Sequence, residues 1–289
     1  MPKTVLLTGC NSGIGLALLR ALLKTDFRVV ATVRQKSMEE FFKLEFQECD
    51  RLIVRPLDLC EYEQSVSLIK EIDEKFGGVD ILINNAGISY RSVVEHMSPP
   101  DDEHQLRVNY LGPFNLIRNA LKTMREKKSG KIINISSVGG MMAMPTMSAY
   151  SASKFALEGA SEALWYEVRP WNITVTLVQL GFVSSKSFQN VILTKRGLQA
   201  TKDKSNPYHH HYKHMSEFIE KLMLHSFSSP EKIAKKILKV INSKSPPLRV
   251  SGTSDARFFL LLRRLLPRFI YHYVLYKSLP RIQKWGPQK

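Results

Sequence analysis

The 289-residue sequence predicts an α/β protein: one doubly wound domain, a parallel sheet with helices on both faces, followed by a helical C-terminal extension. Three observations lead there. Short β-branched runs alternate with longer amphipathic stretches through the first 180 residues. The strand runs are continuously apolar, as strands covered on both faces must be. A glycine-rich loop separates the first run from the first amphipathic stretch. No Gly/Ser-rich linker or internal repeat divides the chain.

Taken in order, strands are predicted at Thr4–Leu7, Arg28–Thr32, Leu52–Arg55, Ile81–Asn84, Lys131–Ile135 and Thr174–Val178. Helices are predicted between them over Gly13–Lys24, Met38–Gln47, Tyr62–Phe76, Asp101–Lys128 and Tyr150–Arg169. Such βαβ units cross over right-handedly and form a parallel sheet. After Gly181 the regularity fades. Residues 184–229 read as a substrate loop with helical pieces, since a long irregular segment in an enzyme often covers the ligand. A helix follows over Pro230–Asn242.

Composition excludes several classes. With 44% hydrophobic and 24% charged residues, the chain is neither disordered nor collagen-like. Cys10, Cys49 and Cys60 are an odd number without metal spacing, which points to a reducing compartment on the cytoplasmic side. The segment MPKTVLLTG is too short for a secretory signal. No run of about 18 uncharged apolar residues predicts a membrane-spanning helix. Charge is uneven: residues 1–180 carry 21 basic and 21 acidic groups, residues 181–289 carry 21 and 5, so the whole +16 lies in the last third. That asymmetry suggests either an anionic partner (membrane surface, nucleic acid, or a phosphorylated or acidic ligand) or a merely solvated basic face.

Thr8-Gly9-Cys10-Asn11-Ser12-Gly13-Ile14-Gly15 follows the first strand and opens the first helix. Gly9 permits a sharp turn, Gly13 a close approach of backbone to a pyrophosphate, and Gly15 tight helix–strand packing. The helix N-terminus offers free N–H groups and a positive dipole end to the phosphates, with Asn11, Ser12 and Ile14 completing the loop. At the end of the second strand, an acid commonly binds an unphosphorylated ribose. This chain instead reads Ala31-Thr32-Val33-Arg34. Arg34, helped by Asn11 or Ser12, suits a 2′-phosphate, so NADP(H) is favoured over NAD(H). A Rossmann-type dinucleotide domain is therefore placed at 1–250, with a basic amphipathic extension at 251–289.

Tyr150 and Lys154 stand one helical turn apart and share a face. A phenol with a pKa of about 10 is a poor base at neutrality, and a nearby ammonium favours its ionised form. Ser137 ends the preceding strand, where a hydroxyl can hold a substrate oxygen. One such pair is a weak signal, but the order of motifs is specific. Thr8–Gly15, Asn84-Asn85-Ala86-Gly87, Asn109, Ser137 and Tyr150-x-x-x-Lys154 resemble the short-chain dehydrogenase/reductase family over about Lys3–Val183. The phrases Val30–Arg34, Ser137–Gly140 and Tyr150–Gly159 are most similar to its branch of 17β-hydroxysteroid and retinol dehydrogenases.

The resemblance implies roles. Tyr150 would be the general acid/base; Lys154 would hold the nicotinamide ribose and lower the tyrosine pKa. Ser137 would orient the substrate oxygen with Tyr150, and Asn109 would hold a relay water. Asp58 and Leu59 would meet the adenine, Asn85, Ala86 and Gly87 the adenosine ribose, and Val183 and Ser185 the carboxamide. The family commonly carries Pro-Gly after the sixth strand; Leu180-Gly181 here leaves the stiffness of that loop unexplained.

Tyr208–His214 holds four histidines, but without Cys or paired carboxylates it reads as a mobile loop edge, and no metal is expected. Met141, Met142, Met144 and Met147 suit either core packing or an adaptable wall for a bulky substrate. In Arg257–Tyr276, Arg257, Arg264 and Arg268 fall on one helical face, with Leu262, Leu265, Leu266, Phe269 and Ile270 largely opposite and Pro267 as a break. This is either a helix docked on its own subunit or partner, or one lying on an anionic membrane, and the charge favours the membrane. No nucleic-acid motif accompanies the basic residues. The expected activity is NADP(H)-dependent interconversion of an alcohol and its carbonyl on an apolar steroid, retinoid or other lipid, in a homo-oligomer (dimer or tetramer). A carrier-bound 3-oxoacyl reductase and a non-catalytic nucleotide-binding lipid-surface protein are the alternatives.

Overall fold

Residues 2–44, 46–184 and 191–286 are described by a computed structural model, with Arg268 described for its backbone only. The strands are β1 (Thr4–Thr8), β2 (Arg28–Val33), β3 (Leu52–Pro56), β4 (Ile81–Asn84), β5 (Gly130–Ser137), β6 (Ile173–Leu180) and β7 (Arg249–Ser251). The helices are α1 (Gly13–Leu22), α2 (Met38–Phe42), α3 (Tyr62–Phe76), α4 (Pro99–Leu106), α5 (Gly112–Glu126) and α6 (Ser148–Val168). Then come α7 (Lys195–Lys202), α8 (His209–Leu224), α9 (Pro230–Asn242), α10 (Ser254–Leu265) and α11 (Arg268–Ser278).

The strands form a parallel sheet in the order β3-β2-β1-β4-β5-β6-β7. The strand period of two sends alternate side chains of each strand to opposite faces, and each face is covered by a layer of helices. Val5 and Leu7 of β1 face a layer where α1 contributes Leu18, Leu19 and Leu22 and α9 contributes Ile233 and Ile237. Leu6 faces the opposite layer, where α3 contributes Leu68 and Ile72, α5 Leu116 and Ile117, and α6 Leu157 and Leu164. Each such leucine or isoleucine withdrawn from water contributes about 1.5–3 kcal/mol. Between β1 and β4 the winding reverses, which opens a crevice at the carboxyl ends of the strands.

The sequence-based elements differ from the structure at informative places. The helix expected over Asp101–Lys128 is α4 and α5 joined by a π-helical segment, Arg107–Leu111. That wider turn places Asn109 inward; its side chain bonds inside the fold instead of to solvent. The helix expected to reach Gln47 stops at Phe42, and Phe46 returns to stack on Phe41 at 5.5 Å between ring centroids. β7 was not anticipated. Three residues are too short for a periodic pattern, and β6 supplies their pairing. The histidine stretch expected as a mobile loop edge is instead the start of α8, with His209, Tyr212 and His214 buried. Tyr212 Oη, His96 Nδ1 (2.9 Å) and the Val93 N–H (3.1 Å) tie that turn to the body. The break expected at Pro267 does separate α10 from α11.

Candidate active site

A cleft of about 890 Å³ lies over the crevice between β1 and β4. Its nucleotide end is built by the glycine loop. Gly9 has φ +72°, and a Cβ there would meet the Ala86 Cα at 2.9 Å. A Cβ on Gly15 would run into the Gly9 carbonyl oxygen, so α1 can approach β1 this closely only without a side chain. Gly13 has φ +53°, and a Cβ there would meet nothing within 4 Å: this side of the loop is open. The first turn of α1 has no side-chain cap from Ser12 and no acidic residue, which leaves its N–H groups to an anionic ligand. These features fit a dinucleotide pyrophosphate.

The loop is held from β4. Thr8 Oγ1 accepts the N–H groups of Asn85 and Ala86, each at 3.0 Å. Asn85 Nδ2 donates back to the carbonyls of Thr8 (2.8 Å) and Gly9 (3.1 Å). Asn85 thus lines the cleft while its amide fastens the glycine loop. Asn84, Asn134 and Ser161 form a buried chain behind it, with Asn84 Nδ2 donating to Asn134 Oδ1 at 2.8 Å. Sequence reasoning missed Thr8, Asn134 and Ser161 as supports, because single polar residues in apolar strands carry no spacing signal.

Of the site residues named from the sequence, Gly9, Asn11, Ser12, Gly13, Ile14, Gly15, Arg34, Asp58, Leu59, Asn85, Ala86, Gly87, Ser137, Tyr150, Lys154 and Val183 all line this one cleft. Ser185 lies outside the described residues. Asn109 lies behind the wall, not in it. Its Oδ1 accepts the Ile88 N–H at 2.9 Å, and its Nδ2 donates to the Ile88 carbonyl and to Ser153 Oγ, both at 3.0 Å. Around Gly87 it still comes close to Lys154: a Cβ there would meet Asn109 Oδ1 at 3.2 Å and Lys154 Nζ at 4.0 Å. Arg34, just after β2, is exposed and lines the cleft, as do Lys36, Ser37 and Glu40. Asp58 turns its carboxylate to the Cys60 N–H at 2.9 Å.

Ser137, Tyr150 and Lys154 meet at the middle of the cleft. Ser137 Oγ accepts the Gly139 N–H at 3.1 Å, and Gly139 lies against the Tyr150 ring. Burial pushes the Tyr150 phenol above its ordinary pKa, while a hydrogen bond with Ser137 and the Arg91 charge pull it down. The Lys154 ammonium donates to the Ile135 carbonyl at 2.8 Å, and its Nζ lies 6.0 Å from the Tyr150 ring centroid. Burial lowers the Lys154 pKa to about 8, opposed by the Glu158 carboxylate.

The far end of the cleft is apolar. Met142, Met144 and Met147 line it, joined by Ile192 and, from α8, Ile219 and Met223. Met141 is a core residue instead, packed with Val138 and Ala256. The loop that lacks the family proline is held by α10: Thr253 Oγ1 accepts the Gly181 N–H at 2.8 Å, and Asp255 Oδ2 accepts the Phe182 N–H at 2.7 Å. These two bonds tie the loop after β6 to the start of α10. Nothing local in the sequence marks Thr253 or Asp255 as loop supports. Among the described residues, no group of three His, Cys, Asp or Glu side chains is placed to hold a metal.

A glycine loop at the topological switch point, with serine, tyrosine and lysine converging beside it, defines an α/β oxidoreductase of the nucleotide-binding kind. The chain belongs to the short chain dehydrogenase family, whose sequence profile matches residues 3–196. Members bind nicotinamide cofactors and act on CH–OH/C=O groups. The chain is 32% identical over 275 residues to a 3-ketodihydrosphingosine reductase of Bacteroides thetaiotaomicron, covering 95% of this chain and 97% of that protein. It is 32% identical over 254 residues to retinol dehydrogenase 8 of Homo sapiens, covering 86% and 80%. A solved short-chain dehydrogenase from Streptomyces avermitilis superposes with a TM-score of 0.79 at 28% identity, covering 96% of each chain.

Proposed function

We propose that this protein is an NADP(H)-dependent oxidoreductase that reduces a carbonyl on a bulky, lipid-like substrate. One observation carries the reading: the Ser137–Tyr150 pair sits where a polar nucleotide end meets a methionine-lined apolar end of the same cleft. The names of the relatives, a ketodihydrosphingosine reductase and a retinol dehydrogenase, agree with a lipid-like substrate.

The glycine loop and the start of α1 would hold the pyrophosphate, Asp58 and Leu59 the adenine side, and Val183 the carboxamide side. When bound, the nicotinamide supplies the hydride. Tyr150 Oη donates the proton to the substrate oxygen, and burial keeps the phenol protonated at neutral pH, which suits reduction. The Ser137 hydroxyl donates a second hydrogen bond to that oxygen and fixes its position. The Lys154 ammonium would hold the ribose hydroxyls, with Asn109 anchoring the Ile88 segment beside it.

Arg34 and Lys36 carry the preference for a 2′-phosphate. NADPH oxidation against a panel of lipid ketones and aldehydes tests the activity. The double variant Val33→Asp with Arg34→Ala is expected to shift preference toward NADH by about 100-fold, since a carboxylate accepts ribose hydroxyls and repels the phosphate. A wild type that already prefers NADH would overturn the assignment of Arg34.

The C-terminal helices support docking on an anionic membrane. Ala256 and Tyr271 are buried and Trp285 lies 4.4 Å from the His211 ring, so the extension is seated on the domain. Outward it exposes Phe258, Leu261, Leu265 (69%), Phe269 (76%) and Tyr273, beside the exposed Arg257, Arg263, Arg264 and Lys277. Among the described residues no helix is long and apolar enough to cross a membrane. Apolar insertion and basic attraction together suit a headgroup boundary. Wild type should float with vesicles rich in anionic lipid, less so at high salt. Arg257→Glu with Arg264→Glu, or Leu265→Asp with Phe269→Asp, should sink. A wild type that stays unbound, with Leu265 and Phe269 instead holding a dimer together, would overturn membrane docking.

A further inference from the structure

The loop that follows β6 begins beside the reacting groups. Leu180, the last residue of β6, stands opposite Ser137 in the sheet register, and Gly181, Phe182 and Val183 continue from it along the cleft wall. Val183 is packed into the core with Ile135 and Leu180. The backbone just before it is held by side chains from far along the chain. Thr253 Oγ1 accepts the Gly181 N–H at 2.8 Å, and Asp255 Oδ2 accepts the Phe182 N–H at 2.7 Å. From beyond the end of α8, Ser226 Oγ donates to the Phe182 carbonyl at 2.6 Å.

The two acceptors are themselves fixed. Thr253 Oγ1 also accepts the Ala256 N–H at 3.3 Å as the cap of α10, and Ala256, fully buried, packs with Val138 and Met141. Next to them the Gly252 N–H donates to the Gln179 carbonyl at 2.7 Å, which holds the start of α10 against the end of β6. The Asp255 carboxylate lies directly against Gly181: a Cβ there would run into its carbon and both its oxygens. Gly181 therefore lets the carboxylate reach the next N–H, and a charged acceptor makes that bond stronger than a neutral one would. Backbone already held in one conformation does not have to be ordered when a ligand arrives.

We infer that Asp255, together with Thr253, is a positioning residue for the nicotinamide half of the cofactor, so that the first turn of α10 is a working part of the dinucleotide site. Neither residue lines the cleft; both act through the Gly181 and Phe182 N–H groups. This deepens the proposed function and rests on its placement of the carboxamide beside Val183. The adenosine half depends on other segments, the glycine loop and Arg34, so a ligand that lacks the nicotinamide separates the two halves.

The test titrates the full-length protein calorimetrically with NADPH and with 2′,5′-ADP, which carries the adenosine half alone. Asp255→Ala is expected to weaken NADPH binding by about tenfold or more and 2′,5′-ADP binding by less than about twofold. Gly181→Ala, whose methyl group displaces the carboxylate, should show the same selective loss. Asp255→Asn keeps an accepting oxygen and should recover most of the NADPH affinity. An equal loss of both ligands, unchanged NADPH binding in either alanine variant, or no recovery in Asp255→Asn overturns the inference. So does a wild type that fails to bind NADPH, which also removes the placement of the nicotinamide. The selective loss in a protein that turns over no lipid carbonyl would leave the positioning role standing and remove the proposed substrate, so the two failures are distinguishable.

Discussion

Tyr150→Phe is expected to lower kcat for carbonyl reduction by about 10³-fold while changing the dissociation constant for NADPH by less than about threefold. The reason is local. The substitution removes one oxygen, the proton donor, and leaves the ring that Gly139 lies against. The glycine loop, α1 and Arg34 lie elsewhere along the cleft and do not depend on that oxygen. Single-turnover kinetics with nucleotide titration separates the two effects. Turnover within about tenfold of wild type would show that another group delivers the proton.

The pH profile adds a sign. Burial raises the Tyr150 pKa, so the phenol remains protonated across the neutral range. Lys154 is lowered to about 8, so its ammonium is present below that pH and lost above it. Reduction should therefore be steady at neutral pH and fall as pH rises through about 8. Lys154→Arg, which stays ionised, should move that falling limb to higher pH. A limb that does not move would assign it to another group.

Gly15→Ala should weaken NADPH binding by about 100-fold and lower stability by about 1–3 kcal/mol. Its Cβ would overlap the Gly9 carbonyl oxygen and come within 2.6 Å of Asn85 Nδ2, so both backbone and the amide that fastens the loop must move. Gly13→Ala is the contrasting case. There the Cβ meets nothing within 4 Å, and the cost comes from a positive φ of 53°, about 1 kcal/mol. Calorimetric nucleotide titration and thermal unfolding of both variants distinguish steric from conformational cost. Equal losses would mean that the contact of α1 with β1 does not govern the loop.

Much of the domain was legible because its signals are local and repeated. β1 to β6 are contiguous apolar runs, and their alternation with helices implies a parallel sheet before any contact is known. The glycine loop and the Ser137, Tyr150, Lys154 set are legible for a related reason: each is a short pattern of particular residue types at fixed spacing, and all of them line one cleft. Where a short element depends on a distant partner, the sequence is silent. β7 pairs only with the edge that β6 offers it, and Phe46, beyond the end of α2, stacks on the Phe41 ring.

By itself, then, the sequence determined the doubly wound class and singled out the glycine loop, Ser137, Tyr150 and Lys154, which the structure brings to one cleft. Each follows from periodicity or from chemistry confined to one segment. Only the tertiary structure decided how those residues are used. It turned Asn109 inward through a π-helical segment and spent the Asn85 amide on the glycine loop. It tied the Gly181 and Phe182 N–H groups to Thr253 and Asp255 at the start of a helix more than 70 residues downstream. It also placed Arg91, which no motif in the sequence singles out, within electrostatic reach of Tyr150. These are properties of distances between segments, and burial multiplies their electrostatic effect, so no pattern along one segment can encode them.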